Sequence, residues 1–298
     1  MIHLILFALL QSTPHAPLTN AKVRIHNPAF LREARDSAFR NCLVSEDGKS
    51  AFIYDGKISR FDLASERSYP AEDLFFFSKG GRLMSATTSQ GAHMEPAGTA
   101  QRRTGDLAIL YAPNAHELLL AGTVGDKTRL TAVRYEKRGV KPNLDVEIEP
   151  GRRDPAAAVG AAMPGGVETW YLLESHGSYP GAVSAVDSRR RKAIGKCGGG
   201  GPFSQFEPSS RRLIGNSGDA VLATAVGSTK TYCAALPSEA GWGFLSRGTL
   251  YFTDAKRTWK RVGGKWESIG DFRVLGKSAG GKYWAILDGA GKAWLVDY

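Results

Sequence analysis

Ser278 stands in Gly276-Lys-Ser-Ala-Gly280, the G-x-S-x-G spacing that in α/β-hydrolases lifts a serine nucleophile onto a strand-to-helix elbow. That chemistry needs a helix after the serine, and then an Asp and a His further along the chain. Here Lys282 to Leu287 reads as a strand, and the last histidine, His176, lies far upstream. The stretch is expected to be an inter-strand loop. Gly270 to Ser278 (GDFRVLGKS) imitates a phosphate loop, but it places five residues between its glycines where the motif has four, and no helix follows to hold a phosphate. Gly198 to Gly201 lacks both the spacing and the helix of a dinucleotide fingerprint and reads as a turn.

Metal chemistry finds no local pattern either. His116-Glu117 has no second His four residues after the first. His93, His116 and His176 would meet only if a ring-shaped fold carried them to one axis, and solvated loops are the expected place for them. Cys42, Cys197 and Cys233 are widely spaced with no neighbouring His, which argues against structural zinc. Export would allow one bridge, Cys197 with Cys233 being the closest pair, but burial of Cys42 and Cys233 in strands is the stronger expectation. Asp145, Glu147 and Glu149 alternate with apolar residues and so share one strand face, expected to be a solvated outer strand. No metal or cofactor is expected.

The basic residues come in clusters: Arg102-Arg103, Arg152-Arg153, Arg189-Arg190-Arg191-Lys192 and Arg211-Arg212. With a formal net charge of +10, clusters that shared one rim would sum to a potential that attracts a polyanion. Nucleic acid is not the favoured polyanion, because only Phe203 and Phe206 lie near a cluster to stack bases. An anionic envelope component or a protein partner fits better.

The elements that must position these residues are short strands. Ala51-Phe-Ile-Tyr54 and Ile58 to Leu63 flank Asp55-Gly56, the strongest short-range hairpin signal, since a type I′ turn needs positive φ at both central residues. Tyr283 to Asp297 repeats the order around Asp288-Gly289, and Gly243 to Asp254 repeats it around Arg247-Gly248. A looser copy runs from Trp170 to Asp187. Asp254 and Asp297 stand one interval of about 40 to 50 residues apart, and Asp62 and Asp187 close to three. The step from Asp187 to Asp254 does not fit. Repeats of that size built only of strands are those of β-propeller blades. With 35 glycines and 14 prolines punctuating the chain, only Ala29 to Phe39 reads as an amphipathic helix.

Ser45-Glu-Asp-Gly-Lys, the strand that follows it, the Asp55-Gly56 turn and a strand ending in Asp62 resemble the blade repeat of TolB-like and WD40-like propellers, with Glu46 where that repeat has Pro. The resemblance implies a fold and no activity, and it assigns no functional residue. It predicts an all-β chain of six or seven four-stranded blades over residues 41–298. Residues 17–40 would form a lead in which Lys22 to His26 completes the final blade. Residues 1–16 carry the apolar run Leu4 to Leu10 and small residues of a secretory signal, without a preceding Lys or Arg. No later run is long and apolar enough to span a bilayer. The expectation is a secreted or periplasmic, monomeric, non-enzymatic binding or scaffold module. The competing reading is a hydrolase or lyase with its site at the axial mouth.

Overall fold

The computed structural model describes residues 22–37, 42–55, 57–77, 83–87, 100–101, 108–124, 127–136, 139–148, 170–176, 179–186, 191–200, 203–207, 212–217, 220–225, 228 and 230–298. The signal expected over 1–16 lies outside them. Strand β1 (Lys22–Arg24) and helix α1 (Pro28–Asp36) open the chain. Strands β2 (Cys42–Val44), β3 (Ser50–Tyr54), β4 (Ile58–Asp62) and β5 (Ser68–Phe77) then run up and down, with β6 (Leu83–Thr87) and β7 (Ala100–Gln101) both paired to β5. A four-stranded sheet follows: β8 (Ala108–Asn114), β9 (Glu117–Val124), β10 (Lys127–Glu136) and β11 (Gly139–Ile148). Next come β12 (Trp170–His176), β13 (Tyr179–Val186) and β14 (Arg191–Gly200), and then β15 (Phe203–Glu207), β16 (Arg212–Ser217), β17 (Ala220–Ala225) and β18 (Tyr232–Ala235). The last are β19 (Trp242–Ser246), β20 (Thr249–Thr253), β21 (Thr258–Val262) and β22 (Lys265–Gly270), followed by β23 (Phe272–Lys277), β24 (Tyr283–Asp288) and β25 (Ala293–Asp297).

Two features join these meanders into a ring. β1 pairs antiparallel with β25, placing Val23 opposite Leu295, so the N-terminal strand completes the C-terminal sheet as predicted. At the other side of that sheet β23 meets β2 in a parallel bridge, Leu43 with Lys277. Successive sheets also pack face to face. Ile214 and Val221 pack with Leu245, Leu250 and Phe252; Phe244 and Tyr251 pack with Val274, Trp284 and Val296; Leu275, Ala285 and Leu295 pack with Val44, Ile53 and Phe61. Each interface buries one sheet's apolar face on the next, which neither sheet could do alone. The chain is a β-propeller, closed by its N-terminal strand.

The helix exists because Asn27 caps it and Pro28 presets its first turn. Buried Asn27 accepts from Phe30 N–H and donates to the Asp62 and Arg67 carbonyls, at 3.0 and 2.9 Å, which ties the helix to the β4–β5 turn. Phe30 and Ala34 then fill the core between the first and final sheets, with Phe30 edge-on to Phe61 at 5.7 Å.

The turns depart from the expected pattern. The hairpin at Asp55 forms, but Tyr54 pairs with Ile58, so the connection has three residues rather than the two of a type I′ turn. At Asp288 the loop is longer: the carboxylate accepts from Ala290 and Lys292 N–H, and Gly291, not Gly289, takes the positive φ of 75°. Arg247-Gly248, the pair without Asp or Asn, makes the two-residue turn with φ of 49° and 79° between Ser246 and Thr249. Asp254 follows the second strand of its sheet whereas Asp62 and Asp297 end third strands, so their regular spacing joins non-equivalent positions.

Candidate functional site

The loops between first and second strands of different sheets meet in one hydrogen-bonded rim. Ser45-Glu46-Asp47-Gly48-Lys49 and Ser278-Ala279-Gly280-Gly281-Lys282 are the same turn in the first and final sheets. In each a fully buried serine hydroxyl accepts from turn N–H groups, Ser50 N–H on Ser45 and those of Lys282 and Tyr283 on Ser278, at 3.0 to 3.2 Å. Ser278 is therefore a turn clamp closed to solvent. The G-x-S-x-G spacing arises because Gly276 lets β23 approach β2: a Cβ there would lie 2.5 Å from Cys42 Sγ.

The rim is continuous from sheet to sheet. Arg212 donates to the Gly248 carbonyl at 3.2 Å, Ser246 Oγ donates to the Gly281 carbonyl at 2.8 Å, and Gly280 N–H donates to Glu46 Oε1 at 2.9 Å. Glu46 N–H then donates to the Ala112 carbonyl at 2.8 Å, and Arg60 Nη1 donates to the Ala115 carbonyl at 2.6 Å. Gly281 is required at this joint, because its φ of 74° and the 2.5 Å separation of a Cβ from Ser246 Oγ exclude a side chain. Trp284, fully buried and stacked on Tyr298 at 4.1 Å, donates to the same Ser246 hydroxyl at 3.2 Å.

Charge on the rim is unequal. Arg247 is exposed and, among the described residues, is the one non-glycine residue at positive φ and has no ion pair with a carboxylate. Exposed Lys282 lies near enough to feel its charge and has Asp297 only at 3.9 Å. Glu46 is the half-buried acid: burial pushes its carboxyl above the usual carboxylate range, against the pull of the Gly280 N–H and the Lys277 ammonium. Its Oε1, which accepts from Gly280 N–H, links the first and final sheets.

Of the residues singled out from sequence, Arg212 opens β16 and lies on this rim. Arg191 and Lys192 open β14, inside a strand rather than beside one, opposite Val186 and Ala185. Arg102, Arg103, Arg152, Arg153, Arg189, Arg190 and Arg211 lie outside the described residues, as does His93. His116 sits exposed in the β8–β9 turn and His176 ends β12. Asp145 and Glu147 lie on β11, the terminal strand of its sheet, with Glu147 opposite Arg129; Glu149 lies outside the described residues. No group of three His, Cys, Asp or Glu among the described residues could hold a metal ion. Cys42 is buried as expected, its thiol pushed up to about 12 by burial. Cys233 instead is exposed and free, because β18 is the edge of its sheet. Sequence reasoning passed over Arg247 and Lys282 because neither belongs to a run of basic residues.

No family model and no curated relative matches the sequence. Among solved structures the chain is similar to BamB from Moraxella catarrhalis, at 12% identity over 86% of this chain and 84% of that one, with a TM-score of 0.45. It is similar to the Dos1 propeller at 8% identity over 88% and 78%, with a TM-score of 0.43. It is similar to TolB from Acinetobacter baumannii at 11% identity over 87% and 54%, with a TM-score of 0.36. At these identities no activity, ligand or partner passes to this chain.

Proposed function

We propose that this chain is an exported, non-enzymatic binding or scaffold module that holds an anionic envelope polymer on the rim of its first-to-second-strand loops. One observation carries the reading: Arg212, Arg247 and Lys282 are exposed on three successive sheets whose turns hydrogen-bond to one another. Cations held at fixed spacing by backbone contacts add their potentials and lose little entropy on binding a polyanion. Arg247 supports this further, since a bulky residue at positive φ costs stability of about 1 kcal/mol, which a folded chain tolerates where the side chain serves a purpose. Arg211, next to Arg212 in the connection from β15 to β16, would extend the same surface, whereas Arg191 and Lys192 open the third strand of their sheet, at the opposite end from this rim.

The test is titration of fluorescent inorganic polyphosphate at several salt concentrations. Binding should weaken steeply with salt and fall about ten-fold or more in Arg247→Asn with Lys282→Ala, a loss of about 1.4 kcal/mol. A single-stranded oligonucleotide should bind more weakly than polyphosphate of equal charge. Affinity indifferent to salt, or unchanged in the double variant, would remove the rim from consideration.

A further inference from the structure

We infer a second docking surface, independent of the basic rim, where the outer strands of two neighbouring sheets meet around Tyr232, Arg261 and Trp266. It fits an acidic segment of a partner protein. Arg261, on β21, is pinned from two sides. Its Nη2 and Nε donate to the Tyr232 hydroxyl at 2.7 and 3.2 Å, and its guanidinium carbon lies 5.7 Å from the Tyr232 ring and 5.0 Å from the Trp266 ring. Trp266 is itself anchored by donating from Nε1 to the Ala235 carbonyl at 2.7 Å. No carboxylate among the described residues pairs with this guanidinium.

Large apolar side chains are exposed at only three described positions, Val23, Tyr232 and Val262, and Tyr232 is the one bonded to Arg261. Tyr232 is 46% exposed although its hydroxyl is already bonded, so the surface it offers is the face and edge of its ring. Exposed Lys230 lies two residues before Tyr232, while Lys265 and Glu267, on either side of Trp266 in β22, belong to the other face of that sheet. The surface is therefore positive around an apolar ring.

Tyr, Trp and Arg are the side chains that dominate protein–protein hot spots, because they bury large area with little rotamer loss. Here that loss has been met in advance: a guanidinium fixed by the Tyr232 hydroxyl and beside the Trp266 ring presents its remaining N–H groups as a fork to a carboxylate. The occupant we assign is a peptide segment with Asp or Glu beside an aliphatic or aromatic residue, the carboxylate on Arg261 and the apolar side chain on Tyr232.

The test uses the whole chain and a phage-displayed library of random 12-residue peptides, followed by anisotropy with the enriched peptides. Acidic sequences containing a large apolar residue should be enriched. Their affinity should drop about ten-fold or more in Arg261→Lys, which keeps the charge but not the planar fork, and in Tyr232→Phe, which frees the guanidinium. Arg247→Asn should leave peptide binding unchanged, and melting curves of the Arg261 and Tyr232 variants should overlay with the parent. Enrichment without acidic residues, indifference to Arg261→Lys, or displacement by polyphosphate through the rim would each overturn the assignment.

Discussion

At the scale of single residues, Glu46 shows how a position that resembles a repeat motif can acquire a different duty. Where the TolB-like pattern has Pro, this chain has a carboxylate that accepts the Gly280 N–H and so links the first and final sheets. Burial raises its folded proton affinity above that of the unfolded chain. The folded state then binds the proton more readily, so this group's contribution to stability is greatest below the ordinary carboxylate pKa and diminishes as pH rises through the raised value. Glu46→Gln keeps an oxygen for the Gly280 N–H and has no charge to desolvate. In urea titrations it should match the parent near pH 4 and become the more stable of the two by about pH 7.5. If the parent gains on the variant as pH rises, the carboxylate is a net stabiliser and the burial argument fails.

At the scale of the element, the turns carry both order and cost. The two-residue turn at Arg247-Gly248 shows this most directly, since φ of 49° suits Asn far better than Arg. Arg247→Asn should raise stability by about 0.5 to 1 kcal/mol while weakening polyphosphate binding, the two effects having opposite signs. A variant that loses both would mean that Arg247 supports the turn rather than a ligand. The same element shows why turn chemistry was hard to read from sequence. Asp55-Gly56 and Asp288-Gly289 carry the strongest turn signal, yet the aspartates there start longer loops, Asp288 bonding Ala290 and Lys292 N–H groups through its carboxylate. An Asp that satisfies the backbone with its own side chain needs no left-handed conformation.

At the scale of the whole molecule, closure of the ring is the stabilising event. β1 contributes three residues to the ladder, all of them exposed, but it delivers Ile25 and Phe30 into the core between the first and final sheets. A chain beginning at His26 should lose several kcal/mol relative to one beginning at Pro17, because removing a buried Ile side chain alone costs about 2 to 5 kcal/mol. The open edge of β25 should also promote self-association. Adding a peptide of residues 17–27 should restore the melting midpoint. An unchanged midpoint on truncation would show that the ring is held by β2 and β23 without its N-terminal strand.

The sequence by itself determined the all-β class, a helix expected over Ala29 to Phe39 and found at Pro28–Asp36, the strands around Asp55 and Asp288, and the closing role of Lys22 to His26, of which Lys22–Arg24 forms the strand. Those features follow from period-two apolar patterning, a capping Asn with Pro, and glycine-rich connections, all of which act between residues near in the chain. It also disposed of Ser278 as a nucleophile, since the required helix and later His are absent from the order of residues. Only the tertiary structure decided which charges meet. Arg212, Arg247 and Lys282 are far apart in sequence and come together through side-chain-to-backbone hydrogen bonds between sheets, and Arg261 meets Tyr232, and Trp266 the Ala235 carbonyl, only because two sheets abut. Charge and aromatic clustering across a ring depends on the angle and register of neighbouring sheets, quantities set by long-range packing that no local spacing records.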